Sequence, residues 1–476
     1  MLARPRSDWP DGTLKHPLLY EVFARIWVAE TGARSLAAIP DAELDRLAAA
    51  GFDHLWLMGV WTIGTIGPDI AREHEGVVRD LDALYPGWTP ADVVGSPYAV
   101  AGYTVDPSLG GDAALAELRT RLATRGIRLI LDFVPNHTAR DHHWVRESPE
   151  VFVHEADGAI ACGKDPYFPP WTDTSQLDHR LACTHELLVT TLLSIAGRCD
   201  GVRCDMSMLV LGDIFERTWH HLPPSPAQPR ATREFWPTAI DAVRARDPGF
   251  TFIAEAYWEL EARLQRLGFD FTYDKALYDL LLHGGADAVR DHLAEDPEYQ
   301  VRSVRFVENH DEPRIAHELP PPQRAAALVI AMTIPGMRFV HDGQIEGRWI
   351  RTAIHLGKRI GETPDPASLA LHHTLFELLK LPALREGAFR LLHSSGSVVA
   401  YRWEHAAGSV VIAVNYSAVE AHDQIVIELH GIDGREIVLR DWMTGIEYVR
   451  DGAALVDPER GLYVGLAPWQ AHVFEL

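Results

Sequence analysis

From Pro17 to Leu379 the chain alternates short apolar runs with amphipathic stretches eight times. That rhythm is its strongest constraint on fold. The runs at 18–28, 54–58, 129–134, 201–205, 251–254, 269–271, 304–307 and 337–340 read as strands. Helical patterns cover 41–50, 112–125, 180–196, 233–245, 259–267, 275–293, 323–334 and 366–379. Leu129 to Val134 is almost wholly apolar, as expected of a strand covered on both faces. Eight strand-helix units predict an α/β chain folded as a (β/α)8 TIM barrel. An open doubly wound sheet would share the alternation, but no glycine-rich dinucleotide turn follows the first strand.

The rhythm is interrupted twice and then ends. A long connection carrying Pro86, Pro90 and Pro97 follows the second strand. Between Thr138 and Asp178 the chain is rich in His, Asp, Pro and aromatic residues, and reads as an irregular insertion too long for an ordinary loop. Beyond about Glu386 only short β-type runs remain, at 397–403, 409–414, 424–429, 436–439, 463–466 and 471–474, separated by turn signals such as Asp433-Gly434 and Asp451-Gly452. The domains expected are the first part of the barrel (1–137), a short insertion after strand 3 (138–179), the second part of the barrel (180–385) and a C-terminal all-β sandwich (386–476).

The formal net charge of −23 repels phosphate backbones and anionic bilayers, so neither nucleic acid nor membrane is an expected partner. No apolar run is long enough to span a membrane, and Met1 to Thr13 lacks the apolar stretch of a secretory signal. The four cysteines, Cys162, Cys183, Cys199 and Cys204, have no C-x-x-C spacing, which fits a cytoplasmic compartment.

In a barrel of this kind, active residues sit at the C-terminal ends of the strands. Those ends here read Asp132-Phe133-Val134-Pro135-Asn136-His137, Arg203-Cys204-Asp205, Glu255-Ala256 and Glu308-Asn309-His310-Asp311. Residues two apart on a strand share a face, so Arg203 and Asp205 project together. A guanidinium beside Asp205 keeps that carboxylate ionised, as a covalent nucleophile must be. Each residue alone has an ordinary explanation: a structural ion pair, a turn Asp, a packed His. Four such sites at the same end of one barrel are hard to assign to turns.

In order and spacing, the stretches DFVPNH (132–137), GVRCD (201–205), FIAEA (252–256) and VENHD (307–311) resemble the α-amylase family, glycoside hydrolase family 13. Thr174-Ser175-Gln176-Leu177-Asp178 matches a further family segment. The resemblance implies a retaining glycosidase acting on α-1,4-linked glucans or maltooligosaccharides, with Asp205 as nucleophile, Glu255 as general acid/base and Asp311 as stabiliser of the sugar. It implies that Tyr98 stacks on the sugar, that His137 and His310 bond its hydroxyls, and that Trp258 lies toward the leaving group. Arg203 would hold Asp205 and Asp132 would support the site. Lacking such a partner, Glu255 is expected to stay protonated while Asp205 is charged.

Three departures bear on specificity. Met208 and Leu209 stand where many amylases carry a Lys-His pair, Ala99 stands where exo-acting glucosidases carry an Asp, and Asn309 to Arg314 resembles the glucosidase and transferase versions of its motif. A transglycosylase or isomerase on the same scaffold, such as a glucanotransferase or a trehalose-forming enzyme, is therefore the alternative. A non-catalytic carbohydrate-binding relative would have lost carboxylates that this chain keeps. Trp171 is a weaker aromatic candidate. Asn136 occupies a position that helps hold calcium in some members, so calcium is possible, although no cofactor is required and no metal ligand set is assigned.

Overall fold

A computed structural model describes residues 15–224 and 228–476, so the polar N-terminal stretch read above lies outside the described residues. The barrel strands are β1 Leu18–Phe23, β2 His54–Met58, β3 Arg128–Phe133, β4 Gly201–Cys204, β5 Thr251–Ala254, β6 Phe271–Tyr273, β7 Ser303–Arg305 and β8 Met337–His341. They close into a barrel in chain order. Every residue of β1, β2, β4, β5 and β8 is buried, as strands enclosed on both faces should be.

The first strand stops five residues earlier than expected, because Ala24–Glu30 is a helix. Its Ala24, Ile26, Trp27 and Val28 are buried, and a buried apolar run does not distinguish strand from helix by composition. The connection after β2 holds more order than its prolines suggest. Helices Gly67–Glu73 and Glu75–Leu84 lie within it, and Trp61–Ile63 pairs with Val100–Val105.

Contacts divide the chain into two compact units. The first comprises Tyr20–Tyr273 with Ile350–Gly361. Here β3, β4 and β5 run side by side, with Asp132 level with Arg203 and Arg203 level with Ile253. The ladder continues past the strand ends, as the Asp205 N–H donates to the Phe133 carbonyl (2.9 Å) and the Glu255 N–H to the Cys204 carbonyl (3.1 Å). Gly201 permits this close approach. A Cβ there would lie 2.6 Å from both the Thr251 carbonyl oxygen and Ile130 Cδ1. The insertion is tied back by pairing of His137–Ala139 with Thr174–Gln176.

The second unit comprises Asp274–Trp349 and Glu362–Leu476, with the residues leading into β1 up to Leu19. Its C-terminal part contains β9 Ala388–Leu391, β10 Val398–His405, β11 Gly408–Asn415, β12 Ala421–Ile425, β13 Glu436–Asp441, β14 Glu447–Asp451, β15 Leu462–Leu466 and β16 Ala471–Glu475. Six form an antiparallel sheet in the order β9-β10-β11-β16-β13-β14, and β12 pairs with β15. One apolar core lies between the layers, with Val398, Val411, Leu439 and Phe474 from one and Ile425, Val464 and Leu466 from the other. Strands β13 and β15 alternate buried and exposed residues. Strand β14 is mostly exposed and does not alternate, and β9 alternates exposed residues with half-buried ones only. Trp403 of β10 anchors this domain by donating its indole N–H to the Thr333 carbonyl at 2.7 Å.

Candidate active site

The centre of the first unit's site is Arg203, fully buried near the end of β4. Its Nη1 lies 2.8 Å from Asp205 Oδ1 and 3.6 Å from Asp132 Oδ1, and its Nη2 lies 2.8 Å from Glu255 Oε2. Aromatic rings enclose the guanidinium, with Trp56, Tyr98 and Tyr273 centroids 5.1, 5.2 and 5.7 Å from Cζ. One cation thus meets three carboxylates, each side chain at most 7% exposed. The ring faces add further favourable charge–quadrupole contacts.

The expectation that Glu255 would lack a cationic partner is therefore corrected. Strand register accounts for this: β4 and β5 are in step, so Asp205 and Glu255 follow their strands at the same level, within reach of one guanidinium. Beside this ion pair, two hydrogen-bond donors reach Glu255. The Met206 N–H reaches Oε2 at 2.6 Å and the Tyr257 hydroxyl reaches Oε1 at 2.9 Å. Met206 adopts the left-handed conformation (φ 42°), which turns its amide toward Glu255 as the chain enters the 3-10 turn Ser207–Val210. Trp258 and Glu259 are also left-handed (φ 64° and 61°), unfavourable for side-chain-bearing residues and concentrated just after Glu255.

Asp132 supports the floor of the site, accepting from the Gly59 N–H at 3.4 Å while its carbonyl accepts from the Trp61 indole at 2.8 Å. Tyr98 is buried with its ring toward Arg203. His137 is buried beside Trp171, with ring centroids 5.1 Å apart. Burial pushes its pKa down to about 4, against the opposing pull of Asp173 and a hydrogen bond to the Tyr98 carbonyl, so its imidazole is neutral at neutral pH. Trp258 meets the exposed Tyr167 edge-to-face at 5.0 Å. Met208 and Leu209 are both buried, the first completely.

In the second unit, the residues after β7 form a compact loop. Glu308 is fully buried, accepting from Arg314 Nη1 at 2.6 Å and from the Ile315 N–H at 2.8 Å. Burial raises its pKa, but Arg314 and His341 outweigh that and hold it below the usual carboxylate value. Asn309 Oδ1 accepts from the N–H groups of Asp311 and Glu312, both at 2.9 Å. His310 is buried and its Nε2 lies 3.0 Å from Asp311 Oδ2, while the Asp311 side chain is 43% exposed.

Tyr257 and the Met206 amide are site groups the sequence reading missed. Tyr257 carried a signal, since it lies two residues from Glu255 with a hydroxyl to share. The amide carried none. For metal, Asn136 spends its side-chain oxygen on Gln176 Nε2 at 3.0 Å, and no group of three or more His, Cys, Asp or Glu among the described residues is placed to hold an ion.

Residues 86–169 match the family model for the α-amylase catalytic domain. An α-1,4-glucan:maltose-1-phosphate maltosyltransferase of Rhodospirillum rubrum is 27% identical over 335 residues, 68% of this chain and 44% of the relative. An α-amylase of Haloarcula japonica is 22% identical over 342 residues, 70% of this chain and 44% of the relative. The chain thus spans less than half the length of these two curated relatives. A maltogenic α-amylase structure from Thermotoga neapolitana superposes with a TM-score of 0.72 at 19% identity, covering 97% of this chain and 99% of that one. An α-amylase structure from Lactobacillus plantarum gives 0.70 at 21%, with the same coverage. In its barrel, its appended β domain and its matched segment, the chain is similar to proteins of the α-amylase family.

Proposed function

We propose that the chain is a retaining glycosidase acting on α-1,4-linked glucans or maltooligosaccharides through a covalent glycosyl-enzyme intermediate. The observation that carries this reading is the sharing of Arg203 by Asp205 and Glu255. A retaining enzyme needs two carboxyl groups about 5–5.5 Å apart, one to attack and one to assist the leaving oxygen. Two carboxylates on adjacent strand ends, in contact with different nitrogens of one guanidinium, are kept close in this way. Asp205 would attack the anomeric carbon while Glu255 gives its proton to the departing oxygen. Glu255 would then take a proton from the group that resolves the intermediate. Tyr98, His137 and Trp258 would contact the sugars, and Asp311 with His310 would complete the set from the motif after β7.

A second reading is transfer rather than hydrolysis. It is favoured by the maltosyltransferases among the relatives and by the buried apolar Met208 and Leu209 just after Asp205. No helix among the described residues is long and apolar enough to cross a membrane, and all four cysteines are free thiols. A timed chromatographic profile on maltoheptaose, with the anomer followed by NMR, tests the assignment. Short products of α-configuration support the hydrolase, and products longer than seven sugars support transfer. β-configured products would overturn both.

A further inference from the structure

Outside the Arg203 cluster, the insertion of the first unit carries a second cavity of about 470 Å³, within the range of small-molecule sites. Lys164, Asp165, Tyr167, Phe168 and Arg217 are among the residues that line it. Tyr167 and Phe168 are 63% and 69% exposed, which is unusual for two adjacent large rings. Their loop is closed at its base, where the Trp171 N–H donates to the Gly163 carbonyl at 2.7 Å. Asp165 Oδ1 accepts from the N–H groups of Tyr167 and Phe168 at 2.6 and 2.9 Å, and Pro166, Pro169 and Pro170 restrict the backbone between. The rings are therefore held out by the loop's own bonding. A sugar ring presents an apolar face of C–H groups to such a surface.

The charge of this cavity runs against that of the chain, which is −23. Lys164 Nζ lies 4.5 Å from the centre of the Trp219 ring, and Arg217 is exposed on the helix Gly212–Trp219. Among the described residues neither cation forms an ion pair with a carboxylate. The acids of that helix are engaged elsewhere, Asp213 with Arg263 at 2.7 Å and Glu216 with Arg230 at 2.5 Å. A cation in the last turn of a helix suits the helix dipole, which explains Arg217 by itself. It does not explain Lys164, which reaches the same cavity from a different segment.

The geometry points to a binding site for a sugar that carries a phosphate group, its ring against Tyr167 and Phe168 and its anion on Lys164 and Arg217. Two cations match the nearly doubled charge of a phosphate monoester at neutral pH, and a guanidinium can grip two of its oxygens at once. The cavity adjoins the end of β5, because Tyr167 meets Trp258 at 5.0 Å. A sugar held there would serve as leaving group or acceptor, a role that rests on the reading of Glu255 as the general acid/base.

The test is calorimetric titration of the full chain with glucose 6-phosphate, glucose and inorganic phosphate. Glucose 6-phosphate should bind about tenfold or more tightly than either of the others, and Lys164→Met and Arg217→Met should each weaken it about tenfold, the size of one lost charge-assisted hydrogen bond. Tyr167→Ala should weaken the sugar phosphate and leave inorganic phosphate unchanged. Equal affinity for glucose and glucose 6-phosphate, or no response to either charge variant, would overturn the inference. Inorganic phosphate binding as tightly as the sugar phosphate would overturn the sugar half of it. Turnover of maltoheptaose, expected within about twofold of wild type in both charge variants, keeps the two readings apart. If the wild type binds glucose 6-phosphate through Lys164 and Arg217 but cleaves nothing, the glycosidase reading fails and the site stands. If it cleaves maltoheptaose and does not distinguish the phosphate, only the site fails.

Discussion

Two buried arginine–carboxylate groups follow barrel strands in this chain, and they solve different problems. In the second unit, both oxygens of Glu308 are taken up by Arg314 and the Ile315 N–H, and Arg314 also donates to the Asp342 carbonyl at 2.9 Å. The cluster leaves neither oxygen of Glu308 without a donor, and it pins the loop that carries His310 and the half-exposed Asp311. In the first unit, Arg203 is divided between Asp205, Glu255 and Asp132, with the Tyr257 hydroxyl donating to Glu255. A carboxylate with both oxygens taken up by its own loop holds that loop, whereas two carboxylates sharing one cation are held side by side. Burial and an ion pair alone do not tell the two apart. The count and kind of donors at each carboxylate oxygen do.

The largest effects should fall where the cation is shared. Asp205→Ala should lower oligosaccharide turnover about 10⁴-fold or more, and Glu255→Gln about 10²–10⁴-fold, with little loss of thermal stability. Glu308→Gln, read in the same assay and by denaturant unfolding, should show the reverse balance. If Glu308→Gln matches Asp205→Ala in turnover with unfolding unchanged, the comparison fails. Next comes Arg314→Met, which strands the buried Glu308 charge and should cost about 3–5 kcal/mol in urea unfolding. A loss below about 1 kcal/mol would show that the pair is not the loop's anchor.

Gly201→Ala should cost about 1–3 kcal/mol, because its Cβ must displace strand backbone on β5. Turnover should fall with it if the step between β4 and β5 aligns the carboxylates. The smallest effect should be a pH dependence to which the histidines in and beside the first unit's insertion contribute. Burial lowers the pKa of His137 and His185 to about 4 and of His142 and His179 to about 3. Between those values and the ordinary 6.5 the unfolded chain binds more protons than the folded one, so stability rises with pH there and is lost as pH falls from about 6.5 toward 4. Thermal unfolding at pH 7, 5.5 and 4.5 should show a falling Tm, and proteolysis near 137–185 should increase first. An unchanged Tm across that window would contradict the burial of these imidazoles.

The sequence made the barrel legible because each strand is an apolar run that a helix follows, and the strand ends carry the motif residues in a recognisable order. It made the C-terminal domain legible through β13 and β15, whose residues alternate, but not through β14, which is mostly exposed and shows no alternation. Helices Gly67–Glu73 and Glu75–Leu84 were hidden by the prolines around them. Within the site, the pairing of Arg203 with Asp205 followed from strand periodicity. Its pairing with Glu255 did not, because that contact depends on the register between two strands, which only the folded sheet fixes. The left-handed turn at Met206 is likewise invisible in residue types, since methionine has no preference for that conformation.

The central claim is that Asp205 attacks while Glu255 handles the proton. Incubating Glu255→Gln with α-glucosyl fluoride tests it most directly, because the fluoride leaves without an acid while the missing base slows release of the intermediate. Mass spectrometry of a quenched peptic digest should find one hexosyl unit, added as an ester, on the peptide containing Asp205. No adduct despite fluoride release, or an adduct on a different carboxylate, would contradict the account.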